Sequence, residues 1–243
     1  MEYIAIAIAP GIAICLFIFY KDVYNREPKL NLIVSFFLGC AAIFPAAIFE
    51  QSFSHVSNGT VAGVALFSYA VVAFSEEFFK FLGIRLYSYN MKSFDEPLDG
   101  IVYSVMVGMG FATLENLLYV LKYAEIGLGL QVGIKRMFLS VPAHASFAVV
   151  IGYFAGKAKF ASKNSLLLLL AGLLGAIFFH GTFDFFLFVN ESTAWGRQTG
   201  EGLLAGGALI SFVIAVGLSR KLIRQHRKIS EQMFKEKNKT HLV

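Results

Sequence analysis

The sequence predicts an all-α, polytopic membrane protein, a bundle of about seven transmembrane helices. Three observations carry this expectation. Apolar residues make up 57% of the 243 positions and charged ones only 15%, far from soluble composition. The mean hydropathy is +0.66. The apolar residues also gather into runs of about the ~20 residues that a helix needs to cross a bilayer, joined by short polar connections.

The first run, Tyr3–Tyr20, lacks a basic start and a small-x-small exit, so it is expected to be a span and not a cleaved signal. Leu30–Phe49 follows the polar connection Lys21–Lys29. Val61–Tyr87 is apolar except for the charged stretch Ser75-Glu76-Glu77-Phe78-Phe79-Lys80 and Arg85 near its end. Leu98–Leu121 is rich in glycine, and Met137–Gly156 and Ser165–Val189 are separated by Lys157–Asn164. Gly202–Leu222 runs into an amphiphilic basic tail from Arg220, expected to leave the membrane as a helix and fray. Residues 1–243 read as one integral-membrane domain, with its motif-bearing core at about 60–190 and the tail at about 220–243. Cys15 and Cys40 lie in apolar runs without metal-type spacing and read as packing residues.

Basic residues set the expected orientation. With the C-terminus inside, the inner connections hold Lys21, Arg26, Lys29, Arg85, Lys92, Lys157, Lys159 and Lys163, and the tail adds eight more Lys or Arg. The outer ones hold only Lys122, Lys135, Arg136 and Arg197. Seven spans then put the N-terminus outside a cell membrane and the tail in the cytoplasm. The net charge of +5 is concentrated in that tail and in loops, so it does not point to nucleic acid.

The deep polar residues are few. A charge at mid-helix costs about 2.5–3.5 kcal/mol on insertion scales, so Glu76, Glu77 and Lys80 need a reason. In a helix Glu76 and Lys80 are i and i+4 and can pair, while Glu77 points ~100° round. Each remaining residue has a bland reading. Lys80 alone can snorkel to the inner surface. Glu115 with Asn116 can be a polar seam. His144 alone can be a packed histidine, and Asp184 a helix brace. Together they come one cluster per helix from the third to the sixth span, and His180 with Asp184 forms another i, i+4 pair. At ~1.5 Å per residue, Glu115, His144 and His180 lie about 9–14 Å in from the outer ends. Glu76 lies near or just past the midplane. Convergence in a wet cavity in the middle-to-outer half of the bilayer is therefore expected.

That inventory suits peptide hydrolysis. A carboxylate takes a proton from water, and a histidine or acid stabilises the oxyanion and protonates the leaving amine. No serine or cysteine stands in a nucleophile setting. The residues favour a glutamate-activated water, with Glu76, Glu77, Glu115 and His180 catalytic and Lys80, Asn116, His144 and Asp184 in support. Zinc is the alternative, held by a subset of Glu76, Glu77, Glu115, His144 and His180.

The stretches EEFFK at Glu76–Lys80, LDGIVYSVMVGMGFATLENLLY at Leu98–Tyr119, PAHA at Pro142–Ala145 and HGTFDF at His180–Phe185 resemble the PrsW family of bacterial intramembrane proteases, related to the CAAX-protease and bacteriocin-processing superfamily. The resemblance runs from about Val71 to Phe186. In the superfamily, Glu115 and Asp184 stand where many relatives carry His and Asn. The resemblance implies first-step cleavage of a single-pass membrane protein, typically an anti-sigma factor, near its extracytoplasmic side. It leaves the first two spans and the last as scaffold. Two other classes stay open: a proton- or ion-coupled transporter, and a non-catalytic receptor or immunity-type membrane protein.

Overall fold

The computed structural model describes residues 2–199 and 201–240. Its elements are α-helices α1 (Glu2–Lys21), α2 (Lys29–Ser52), α3 (Val61–Leu66), α4 (Phe74–Leu86), α5 (Pro97–Ala124), α6 (Gly129–Phe138), α7 (Ser140–Lys159), α8 (Ser165–Ser192), α9 (Ala194–Thr199) and α10 (Glu201–Thr240). A π-helical turn, Phe67–Ala73, joins α3 to α4. Among the described residues, seven helical stretches are long and apolar enough to cross a membrane. The all-α polytopic expectation holds, and the protein is a multi-pass membrane protein.

Helix α5 is the axis of the bundle. Its start is fixed by Pro97 in the first turn and by a reciprocal capping box between Glu96 and Asp99. From Glu96 to Thr113 every residue is buried, because α1, α2, α7 and α10 pack around it. Small residues let the backbones close up. Gly110 backs onto the Phe36 carbonyl and Gly39 onto the Val107 carbonyl, while Gly100 and Gly152 face each other across α5 and α7. A Cβ at any of these would meet backbone, which cannot move aside as a side chain can.

Two expectations change. The connection 122–136 is not a plain loop: α5 runs on to Ala124, and α6 folds back against α5 and α1. The tail does not fray after Arg220, because α10 continues to Thr240. The reason is a stripe at i, i+4 spacing, Leu222, His226 and Ser230, all buried. His226 stacks on Tyr153 of α7 with ring centroids 4.3 Å apart, and Phe234 lies 5.7 Å from Tyr24. The tail is therefore docked on the bundle, over the end formed by residues 22–28 and 87–96.

Candidate active site

The paired glutamates sit just after the π-helical turn. Such turns admit an extra residue per turn and recur at functional sites. This one packs on α8: Gly181 leaves room for the Tyr69 ring, and the Tyr69 hydroxyl is 2.7 Å from Thr182 Oγ1. The contact sets α4 against α8 where Glu77 meets His180.

Lys80 lies at the centre. It is 2% exposed, so it does not snorkel to the surface. Its Nζ donates to Glu76 Oε2 at 3.1 Å and to Glu77 Oε1 at 2.9 Å, and lies 3.2 Å from His144 Nδ1. The ammonium also sits 4.0 Å from the centre of the Phe111 ring, one helical turn before Glu115 on α5. From α8, His180 Nδ1 is 2.8 Å from Glu77 Oε1, and Nε2 is 3.1 Å from Asp184 Oδ2 and 3.9 Å from Glu76 Oε2. Phe147 stacks on the His180 ring at 4.9 Å. His144, near the start of α7, turns Nε2 to Glu115 Oε2 at 3.1 Å.

The structure thus brings Glu76, Glu77, Lys80, Glu115, His144, His180 and Asp184 into one network across α4, α5, α7 and α8. Asn116 belongs to a different contact. Its amide donates to the Ala7 carbonyl at 2.9 Å, and its Oδ1 accepts from Arg136 Nε at 3.1 Å. One of its two amide N–H groups is thus committed to α1, and its Oδ1 shares the Arg136 guanidinium with Glu115.

Two residues of the site escaped the sequence reading. Arg136 reaches from α6 to Glu115 Oε2 at 2.5 Å. It had been assigned to an outer connection, and the only signal was the amphiphilic character of Gly129–Phe138. Glu50 accepts a hydrogen bond from Ser75 Oγ at 3.2 Å. It ends the second apolar run and read as a boundary residue. Because Glu50 is two residues from the end of α2, this contact puts the site within about two turns of that end of the bundle. Helices α1 and α2 therefore contribute contacts to the site region and are more than scaffold.

The donor set fits a metal ion. One ligand atom each from Glu76, Glu77, His144 and His180 lies within 4.8 Å of the others, and all four residues are buried. Glu77 Oε2 is buried with no hydrogen-bond donor. Carboxylate oxygens with imidazole nitrogens make a zinc-type set. An ion held there would share its carboxylates with the Lys80 ammonium, which already touches Glu76, Glu77 and His144.

Residues 27–218 match a family model described as "PrsW family intramembrane metalloprotease", a longer reach than the motifs alone indicated. The chain is 38% identical over 202 residues to a protein named Protease PrsW from Geobacillus kaustophilus, covering 83% of this chain and 86% of that one. It is 37% identical over 185 residues to Protease PrsW of Bacillus subtilis, covering 76% and 82%. The namesake from Clostridioides difficile is 36% identical over 195 residues, covering 78% and 81%. No solved structure matches the chain. A helical membrane bundle whose interior gathers two glutamates, a lysine and two histidines, and whose sequence matches along most of its length, belongs to the PrsW family of intramembrane proteases.

Proposed function

We propose that this chain cleaves a single-pass membrane protein, an anti-sigma factor being the type of substrate the family resemblance implies, near its extracytoplasmic side. The observation that carries the reading is the convergence of Glu76, Glu77, His144 and His180 in the bundle interior, with donor atoms within 4.8 Å. Glu77 acts as the general base: Oε1 is held by Lys80 and His180, and the buried Oε2, without a donor, is the oxygen that takes a water's proton. As that water's oxygen adds to the substrate carbonyl, Lys80 keeps the paired carboxylates compensated. His180, held between Glu77 Oε1 and Asp184 Oδ2, fixes the direction of the base. The proton taken by Glu77 passes to the departing nitrogen as the C–N bond breaks. Glu115, fixed by Arg136 and His144, holds the far wall and meets the substrate backbone. Glu76, Glu77, His144 and His180 would hold a zinc-type ion, which supplies Lewis acidity toward a carbonyl and toward water.

The test is cleavage in a defined bilayer. The purified chain and a single-pass substrate helix, reconstituted together, are expected to yield products whose new ends, read by mass spectrometry, map to the half of the helix level with the end of α2. Proton or ion flux without any product would favour the transporter reading instead.

Orientation rests on the basic connections. Residues 22–28, 87–96 and 160–164 and the docked tail share one end of the bundle, with Asn25 bonded to Asp95 and Lys159 to the Tyr89 carbonyl. That end is proposed as cytoplasmic. Reporter fusions after Lys92 and Lys159 should report cytoplasm, and fusions in 51–60 should report the exterior. The reverse pattern would move the site to the cytoplasmic side.

A further inference from the structure

The end of the bundle opposite the glutamate pair holds a second group of carboxylates, unused by the proposed chemistry. Asp22 and Glu27 come from the connection between α1 and α2, Asp95 and Glu96 from that before α5, and Asp99 from the first turn of α5. Asp22, Glu27, Glu96 and Asp99 are at most 3% exposed. None of the five acids forms a salt bridge among the described residues.

We infer that Glu27, Asp95 and Asp99 form a binding site for a hard divalent cation of the magnesium or calcium class. One oxygen from each lies within 4.8 Å of the other two, a spread that fits around one ion with metal–oxygen distances of about 2.0–2.6 Å. An independent observation points the same way. Asp99 Oδ1, Asp22 Oδ1 and Glu96 Oε1 are buried with no hydrogen-bond donor. The second oxygens of the two aspartates are already taken. Asp99 Oδ2 accepts from the backbone N–H groups of Asp95 and Glu96 at 2.9 and 2.8 Å, and Asp22 Oδ2 accepts from Glu27 N at 3.1 Å. A buried carboxylate oxygen left without a donor is costly.

The donors are all oxygen, which selects a hard cation over zinc. The site is also oriented from behind. The Tyr103 hydroxyl donates to Glu27 Oε2 and is 2.8 Å from Ser93 Oγ, and Asn25 Nδ2 donates to Asp95 Oδ1 at 2.6 Å. Asp95 is the exposed member, which gives the ion an entry path and room for waters. A bound ion would tie residues 22–28 to 87–96 beneath the docked tail of α10, where Ser230 lies against Glu96.

The test uses the full-length protein in detergent, stripped with chelator and titrated separately with Mg2+, Ca2+ and Mn2+ by calorimetry, with Mn2+ also followed by electron paramagnetic resonance. At least one ion should bind saturably at one site and raise the melting temperature. Asp95→Asn, at an exposed position that leaves the core intact, should weaken binding at least tenfold, and Glu27→Gln and Asp99→Asn should abolish it. The Glu76→Gln/Glu77→Gln double variant should keep the binding that Asp95→Asn weakens. No saturable binding at millimolar ion, unchanged affinity in Asp95→Asn, or loss of binding in the double variant would each overturn the assignment. Should Asp99→Asn fail to fold, Asp95→Asn decides.

Discussion

Glu77→Gln is expected to lower cleavage at least ~10³-fold while the protein stays in the membrane at its normal level. General-base catalysis contributes about 10²–10⁴-fold, and Glu77 is placed for it. The residue is 0% exposed, its Oε1 is held from two sides, and its Oε2 is buried without a hydrogen-bond partner. Glutamine keeps the shape and an oxygen that can still accept from Lys80, so the fold has little reason to respond. Glu76 continues to pair with Lys80 at 3.1 Å. Initial cleavage rates, membrane abundance and detergent melting curves should be measured on the same preparations. A Glu77→Gln enzyme working at more than a tenth of the wild-type rate would remove Glu77 from the role of base.

Lys80→Met should damage stability as well as rate. The methionine fills a similar volume but leaves Glu76 and Glu77 side by side in the interior without the cation that touches both. Breaking a buried pair by removing one partner costs about 3–5 kcal/mol. For a chain of this size that corresponds to a fall in melting temperature of ~6–20 °C. The same variant interrogates the metal, because a divalent ion bound by Glu76, Glu77, His144 and His180 can neutralise the carboxylates that lost their ammonium. Adding zinc to Lys80→Met should recover most of the lost melting temperature. A variant that melts like wild type would show that Lys80 does not hold the pair together. One that melts low and ignores zinc would count against metal in this cluster.

Much of this site was legible because a bilayer makes polar residues conspicuous. Glu76, Glu77, Lys80, Glu115, His144, His180 and Asp184 stood out against apolar runs, where burying a charge is expensive. The pairs Glu76–Lys80 and His180–Asp184 followed from helical spacing alone and are in contact in the structure at 3.1 Å each. Arg136 and Glu50 were hidden for the opposite reason. Both lie at the ends of apolar runs, where charged residues are ordinary, and only the fold-back of α6 and the approach of α2 to Ser75 turn them inward. Asn116 was read together with Glu115, and the two do share Arg136, but its amide turns elsewhere. One residue along a helix is about 100° of rotation, and that carries it toward α1. The docked tail was missed because its charges dominate the composition, while the buried stripe of Leu222, His226 and Ser230 is thin.

The glutamates of the network differ in where their counter-ions lie along the chain. Glu76 and Glu77 meet Lys80 within a single turn of α4. Glu115 must wait for Arg136 and His144, which are 21 and 29 residues further on and belong to α6 and α7. During synthesis, then, the third span enters the bilayer with most of its charge already compensated. The fourth reaches it with an uncovered carboxylate about three turns from the end of α5. Fold-back of α6 is what covers that charge, so this short amphiphilic helix is a step in assembling the bundle as well as a part of the finished site.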